Sequence, residues 1–170
     1  LIIDPIDGSN NSSRGIPFFS VSIALSKGDK FNDIEKAVIL DLNTGDTYWA
    51  VKGKGAYFNN EKINVSMKNL SDQLIFEIDF NIWNVRRKFT KYSSILKKIY
   101  RIRVMGSVAL SLCLLAKGSL DGYINLKRGS RVVDYAAAFL ILKEAGGRIF
   151  SIKGENINFS LDMELKISLA

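Results

Sequence analysis

A change in hydrophobic pattern near residue 70 limits, more than any other feature, what this chain can fold into. Before that point, short apolar segments alternate with polar turns, and Asn-Thr-Gly-Asp at residues 43–46 is typical of a hairpin turn. After it, strand-like apolar segments alternate with helix-like ones. The sequence therefore predicts a layered fold of the α+β or α/β class, with an antiparallel-sheet half over residues 1–70 and a mixed α/β half over residues 71–170.

The predicted elements of the first half form an antiparallel meander. Its strands are expected at residues 20–26, 37–41 and 47–51, with a short edge segment that follows the glycines at 53 and 55. In the second half, strands are expected at residues 74–80, 102–105, 122–126, 148–151 and 165–169. Helices are expected at residues 82–98, 107–116 and 133–145, and the glycines at 118 and 146 are suited to end the last two.

Two absences narrow the chemistry that is open to this chain. It contains no histidine, so Ser-His-Asp triads and His-ligated zinc are excluded within it. Its one cysteine, Cys113, excludes internal disulfides and stands in an apolar helical segment typical of a core. Catalysis would therefore use carboxylates, hydroxyls, basic side chains, backbone amides or a metal ion held by oxygen atoms.

Much of the net charge of +7 is concentrated in one region. The basic residues there are Arg86, Arg87, Lys88, Lys91, Lys97, Lys98, Arg101 and Arg103. They fit either the solvated face of a helix or a field that attracts anionic ligands. Because base-stacking aromatic side chains are not interleaved with them, a nucleic-acid platform is not predicted. No apolar run approaches the roughly 20 residues needed to cross a bilayer, so no membrane partner is expected.

A first candidate site is Asp-Pro-Ile-Asp-Gly-Ser at residues 4–9, directly after a short apolar segment. Pro5 fixes one backbone angle and removes a donor, so the chain is expected to turn there. Asp4 and Asp7 can then converge, while Gly8 permits close approach and Ser9 can open a helical turn whose amides face an anion. Two carboxylates beside such a turn suit Mg²⁺. The alternative is an ordinary surface turn.

Two further segments place polar residues where apolar ones dominate. Asp134 stands near the start of an apolar helix, where it is either a functional carboxylate or simply a helix cap. Gly106 and Ser107 join a predicted strand to a predicted helix and offer a contact for an anion or a hydroxyl group. Each segment is a weak signal when taken alone.

Together these motifs resemble the inositol monophosphatase family of metal-dependent, lithium-sensitive phosphatases. Residues 4–11 read Asp-Pro-Ile-Asp-Gly-Ser-Asn-Asn, residues 15–19 read Gly-Ile-Pro-Phe-Phe, and residues 133–137 read Val-Asp-Tyr-Ala-Ala. Glu-Ala-Gly-Gly follows at 144–147, and residues 52–57 and 103–107 also match in order and spacing. The stretch at 128–134 looks most like the archaeal branch, whose members often hydrolyse both inositol phosphates and fructose 1,6-bisphosphate. The resemblance implies a layered sugar-phosphatase fold.

The resemblance also implies a Mg²⁺-dependent phosphomonoesterase that uses metal-activated water. Two or three ions are implied, with Mn²⁺ as a substitute and Li⁺ as an inhibitor. The implied metal ligands all offer oxygen atoms, namely the carboxylates of Asp4, Asp7 and Asp134 and the backbone carbonyl of Ile6. The three acids and the Ser9 hydroxyl, which would help to orient the attacking water, are the implied catalytic residues.

The implied substrate-binding residues face the phosphate or the ring, namely Gly8, Ser9, Gly106 and Ser107. A separate hypothesis concerns Arg128 and Arg131, which stand in the short connection before the helix that carries Asp134. Arginine holds phosphate well, so both residues are suited to a substrate with a second phosphate group. The alternative is that both are solvated loop charges.

Some residues depart from the family pattern. Ser9 stands where threonine is commoner, Val133 replaces the tryptophan of animal members, and Ser12 stands where an aromatic residue is usual. The family's upstream glutamate ligand would precede Leu1, so we expect an N-terminally truncated piece that lacks one metal ligand. Alternative functions are a 3′-phosphoadenosine-5′-phosphate phosphatase or a non-catalytic homologue that binds metal or an anion. The expected partner is a small phosphorylated sugar or cyclitol, and the expected protein is a cytoplasmic homodimer.

Overall fold

The computed structural model describes residues 1–69, 71–80, 89–127, 130–151, 154, 158–162 and 166–167. Its largest element is an antiparallel sheet whose strands follow one another in chain order. These strands are β1 (Ile2–Asp7), β2 (Ser20–Ser26), β3 (Ile34–Asp41), β4 (Thr47–Val51), β5 (Ala56–Phe58) and β6 (Glu61–Ile63). The meander that the turn pattern predicted is therefore confirmed.

Two details of this sheet differ from the prediction. Strand β3 begins at Ile34 rather than at residue 37, because a 3₁₀ turn over Phe31–Asp33 leads directly into it and buries both Phe31 and Ile34. The expected edge segment is a hairpin of two strands, β5 and β6, which pair antiparallel. Asn59 sits in its turn with a left-handed φ of 51°, a conformation that asparagine tolerates better than most residues.

The helices are α1 (Ser9–Ser13), α2 (Ser93–Leu96), α3 (Val108–Ala116) and α4 (Val132–Glu144). The last two match the predicted helices to within one residue at each end, and Ser107 caps α3 by accepting the N–H of Leu110 at 3.4 Å. Every residue of α4 from 132 to 142 is buried. A helix that is apolar on all sides must lie inside the protein, and this one does.

A second, parallel sheet has the strand order β8–β7–β9. Its strands are β7 (Ile75–Asp79), β8 (Arg101–Arg103) and β9 (Gly122–Asn125). A short antiparallel pair joins β10 (Ser130–Arg131) to β11 (Lys166–Ile167). These elements confirm the mixed α/β character of the second half.

One hydrophobic core joins the two halves of the chain. Helices α3 and α4 pack against each other, and α4 packs on strands β1 to β4. Ile39 and Tyr48 from the sheet meet Leu110, Tyr135 and Ile141 from the helices in this core. Because α4 lies against β1, its first turn is brought close to the motif at residues 4–9.

In the second half, one predicted strand is wrong, and two other predicted elements fall partly outside the described residues. The strand expected at 148–151 is wrong, since the described residues there form bridge contacts only at 150 and 151. The helix expected at 82–98 and the strand expected at 165–169 fall partly outside the described residues, and the described parts contain α2 and β11.

The described members of the basic group are exposed, namely Lys91, Lys97, Lys98, Arg101 and Arg103. Within the described ranges, no helix has both the length and the apolar character that crossing a bilayer requires.

Candidate active site

Strand β1 carries Asp4 and Asp7 into the site through an irregularity in its pairing with β2. The chain does not end its strand at Asp4, as the proline suggested, but continues to Asp7 with a register shift between the two acids. In a regular strand, residues three apart point to opposite faces. The irregularity at Pro5 and Ile6 removes that restriction, so both carboxylates can turn to one side. Both aspartates are buried.

Gly8 ends this strand and starts helix α1. Its φ of 82° is in the left-handed region, and a Cβ atom there would lie 2.9 Å from the carbonyl oxygen of Phe18. Any other residue would therefore be both strained and too close to backbone. The glycine allows the chain to reverse directly after Asp7, which places Ser9 at the rim of the same cleft.

Asp134 reaches the site from the first turn of α4. The cap residue of this helix is Arg131, whose backbone N–H donates to Asp134 Oδ2 at 2.8 Å. The sequence left open whether Asp134 is a helix cap or a functional carboxylate. The structure gives it a capping hydrogen bond and also places its side chain beside the two aspartates of β1.

The three acids form a buried cluster. Asp4, Asp7 and Asp134 each offer an oxygen atom that lies within 4.8 Å of the other two. The guanidinium Nη2 of Arg131 bridges two of them, at 3.2 Å from Asp4 Oδ2 and 2.9 Å from Asp134 Oδ1. One arginine thus offsets part of the repulsion among three carboxylates.

Asp7 is held from behind by the start of α3. Its Oδ2 accepts a hydrogen bond from Ser107 Oγ at 2.5 Å and another from the Ala109 N–H at 2.7 Å. Burial nevertheless raises the pKa of Asp7 to about 6, because the two hydrogen bonds only partly offset the loss of water. Burial also raises the pKa of Asp4, against the opposing effects of the Ile6 N–H and Arg131.

These residues fit a divalent metal ion. Buried carboxylates that face one another are costly unless a cation neutralises them. Burial is the largest cause of the raised pKa values of Asp4 and Asp7, and repulsion from the neighbouring acids adds to it. Oxygen donors from carboxylates are the ligands that Mg²⁺ prefers. Ile6 lines the same cleft as Asp7 and Asp134.

Asp7 and Asp134 line a largely polar cleft. Gly8, Ser9, Gly106 and Arg131 line it, as the sequence suggested for a substrate site. Ser107 is placed differently, since it is buried behind the cleft where it bonds Asp7. Arg128 lies outside the described residues.

Sequence reasoning missed a charged pair in the same cleft. Lys127 Nζ lies 2.6 Å from Asp79 Oδ1, and both residues line the cleft. Asp79 is the last residue of β7 and Lys127 follows β9, so two neighbouring strands of the parallel sheet bring them together. The carboxyl ends of parallel strands are a common place for ligand sites. The position of Asp79 at the end of a predicted strand could therefore have marked it as a candidate site residue.

Two other missed residues hold the site in place from a distance. Asn11 Nδ2 donates to the carbonyl oxygens of Phe18 and Met105, at 2.8 Å each, and so links α1 to the turn that carries Gly106. Glu144 at the end of α4 accepts the N–H groups of Gly53 and Gly55, at 2.8 Å each. The second contact joins the glycine segment at 52–57 to the Glu-Ala-Gly-Gly segment at 144–147.

Comparison with known proteins agrees with this geometry. Residues 1–168 match the family model described as inositol monophosphatase family. A fructose-1,6-bisphosphatase/inositol-1-monophosphatase of Methanothermobacter thermautotrophicus is 35% identical over 174 residues, which cover 99% of this chain and 61% of that protein. A bifunctional NADP phosphatase/NAD kinase of Methanococcus maripaludis is 39% identical over 189 residues, which cover 99% of this chain and 32% of that protein.

A solved structure shows the same fold. The crystal structure of an inositol monophosphatase-fructose 1,6 bisphosphatase superposes with a TM-score of 0.86 at 32% identity, covering 99% of this chain and 63% of that one. This chain therefore spans less than two thirds of the length of these relatives. The match over nearly all of its residues, together with the acid cluster that the fold assembles, shows that the chain belongs to the inositol monophosphatase family.

Proposed function

We propose that this protein is a Mg²⁺-dependent phosphomonoesterase that hydrolyses inositol monophosphate, fructose 1,6-bisphosphate or both. The observation that carries the proposal is the meeting of Asp4, Asp7 and Asp134 within 4.8 Å of one another, with Asp7 and Asp134 lining a polar cleft. These acids come from two elements that are 130 residues apart in sequence, and all are buried. Burying three carboxylates together is unfavourable in itself, so a bound cation gives the arrangement a physical reason.

Each residue of the site has a proposed role. Asp4, Asp7 and Asp134 hold the metal, with the carbonyl of Ile6 as a further oxygen donor. A bound Mg²⁺ ion lowers the pKa of water, neutralises phosphate oxygens and stabilises the leaving oxygen. The hydroxyl of Ser9, which lies at the rim of the cleft, helps to orient the attacking water.

The scaffold residues around the acids keep this geometry. Ser107 and the Ala109 N–H direct the Asp7 carboxylate, and the Arg131 N–H directs that of Asp134. Gly8 lines the cleft, and the residues packed around it leave no room for a side chain. We propose that its backbone amide contacts a phosphate group. No step of this scheme needs a histidine.

A substrate phosphate that is not bound by the metal needs another cation. Arg131 and Lys127 both line the cleft, and Arg131 is the better suited to a phosphate because its planar fork can donate two hydrogen bonds. We infer that Arg131 favours substrates with a second phosphate group. Arg131→Ala should then raise the KM for fructose 1,6-bisphosphate more than that for inositol 1-phosphate, by roughly ten- to a hundredfold at saturating Mg²⁺.

A second candidate substrate is a nucleotide phosphate. The relative that is 39% identical to this chain is described as an NADP phosphatase joined to an NAD kinase. A substrate of that class also carries additional phosphate groups, and the cations of the cleft would suit them equally. This candidate is closely related to the phosphoadenosine phosphatase that the sequence left open.

Phosphate release by the intact protein tests these proposals. The substrates are inositol 1-phosphate, fructose 1,6-bisphosphate, NADP and 3′-phosphoadenosine-5′-phosphate, each with Mg²⁺ and with EDTA. Release that requires Mg²⁺ supports the phosphomonoesterase, and the order of kcat/KM values selects the substrate. Metal binding without release from any of the four would favour a non-catalytic homologue.

A further inference from the structure

The guanidinium group of Arg131 already binds two of the three acids. A single nitrogen, Nη2, contacts Asp4 Oδ2 at 3.2 Å and Asp134 Oδ1 at 2.9 Å. It therefore lies where these two carboxylates face each other. A metal ion held by the same two oxygens would use the same lone pairs. The guanidinium group and the metal ion are both positively charged, so they would also repel each other at such close range.

We propose that Arg131 is an internal counter-cation that competes with the divalent metal ion for Asp4 and Asp134. Metal binding displaces the guanidinium group, and Arg131 thereby lowers the affinity of the site for the metal. This inference rests on the metal site proposed above. It assigns to Arg131 a role in metal loading that precedes any contact with substrate.

The contacts around the site indicate that the Arg131 side chain, rather than the carboxylates, moves when a metal ion binds. The side chain of Arg131 is 59% exposed, whereas those of Asp4 and Asp134 are 5% and 12% exposed. Asp4 Oδ1 is held by the Ile6 N–H at 3.2 Å, and Asp134 Oδ2 by the Arg131 N–H at 2.8 Å. The acids are thus fixed by backbone groups. The arginine side chain can swing toward solvent with little loss of packing.

The nearby Lys127 does not have the same role. Its ammonium group lies 2.6 Å from Asp79, which is not a member of the acid cluster. Among the described residues, the ion pairs to the cluster come from Arg131. Removing the charge of Arg131 therefore tests the competition without disturbing another ion pair.

Calorimetric titration of the intact protein with Mn²⁺ measures the effect, with no substrate present. Arg131→Gln removes the charge, and Arg131→Lys keeps it on an ammonium group that is less suited to bridge two acids. The control is Arg148→Gln, because Arg148 is exposed and follows the C-terminal end of α4, a 13-residue helix about 20 Å long. Circular dichroism verifies that each variant keeps the fold of the wild type.

Arg131→Gln should bind Mn²⁺ more tightly than the wild type, by on the order of ten- to a hundredfold, since the metal no longer displaces charged hydrogen bonds. Arg131→Lys should fall between them, and Arg148→Gln should match the wild type. Equal or weaker binding by Arg131→Gln, in a protein whose wild type binds Mn²⁺, overturns the competition and leaves the metal site standing. Failure of the wild type and of Arg131→Gln alike to bind Mn²⁺ overturns both.

Discussion

The substitution Asp134→Asn separates the helix-capping contact of Asp134 from its proposed role as a metal ligand. The amide keeps the size of the side chain and one carbonyl oxygen, which can still accept the Arg131 N–H that Asp134 Oδ2 now accepts at 2.8 Å. The helix cap is therefore retained. The negative charge beside Asp4 and Asp7 is lost, and with it one proposed metal ligand.

Asp134→Asn is expected to change the free energy of unfolding only slightly, because the repulsion and the attraction that it removes are of similar size. Repulsion between Asp134 and each of the other two acids, at up to 4.8 Å, amounts to roughly 3 kcal/mol at an effective dielectric constant of about 20. Attraction to Arg131 at 2.9 Å is comparable and is weakened by solvent, since that side chain is 59% exposed. We therefore expect the metal-free variant to be as stable as the wild type or slightly more stable.

The expected change in turnover is large. A metal ion supplies several kcal/mol of transition-state stabilisation, and each 1.4 kcal/mol corresponds to about a tenfold change in rate. Loss of one ligand should lower kcat by at least about a hundredfold at saturating Mg²⁺. The assay is phosphate release from the best substrate of the panel, in parallel with urea unfolding in EDTA.

A matched control is Asp33→Asn. Asp33 is also the third residue of a capped turn, and its Oδ2 accepts the Lys30 N–H at 3.1 Å. It precedes β3 at the end where Ile34 pairs with Ser26, whereas the site lies at the end where Ser20 pairs with Asp7. Asp33→Asn should leave kcat unchanged. Near-normal turnover in Asp134→Asn, or an equal loss in both variants, would show that Asp134 is only a helix cap.

Three further predictions concern stability and its pH dependence. Ser107→Ala removes the cap of α3 and the 2.5 Å hydrogen bond to Asp7, and should lower the free energy of unfolding in urea by about 1–3 kcal/mol. Glu144→Ala removes the acceptor of the Gly53 and Gly55 amides, and should lower the free energy of unfolding by about 0.5–1.5 kcal/mol in the same assay, since water can reach the exposed Gly53 amide. The pKa of Asp7 is raised from 3.8 to about 6, so the folded state holds this proton more tightly than the unfolded one. In EDTA, the free energy of unfolding should therefore fall as the pH rises from about 4 to 6, by on the order of 3 kcal/mol from this group.

Controls for these three predictions come from the same chain. Ser13→Ala and Glu61→Ala remove exposed side chains of the same type and should change stability by less than about 0.5 kcal/mol. If these control substitutions lower the free energy of unfolding as much as Ser107→Ala and Glu144→Ala do, the named hydrogen bonds are not the cause of the loss in stability. Asp7→Asn should flatten the slope between pH 4 and 6, because the amide does not titrate. An unchanged slope in that variant would assign the pH dependence to other groups.

The sequence alone determined most of the local structure. The turn at residues 43–46 and the alternating segments around it specify an antiparallel meander, because side-chain alternation and turn residues act over short distances. The ends of α3 and α4 were predicted for the same reason, to within one residue. The motif residues Asp4, Asp7 and Asp134 were identified because charges rarely interrupt apolar segments without a structural or functional reason. The strand expected at 148–151 was wrong because an apolar pattern does not ensure a continuous ladder, and the described residues there form bridge contacts only at 150 and 151.

Only the tertiary structure decided how these residues meet. The register shift in β1 turns Asp4 and Asp7 to one side, and this depends on pairing with β2. The bridge from Arg131 to Asp4 joins residues 127 positions apart, and the pair of Asp79 and Lys127 depends on neighbouring parallel strands. Such contacts arise from packing between elements distant in sequence, where neither spacing nor residue type restricts the geometry. The chemistry of the site is therefore readable in the sequence, whereas its electrostatic balance is set by the packing of α4 against β1.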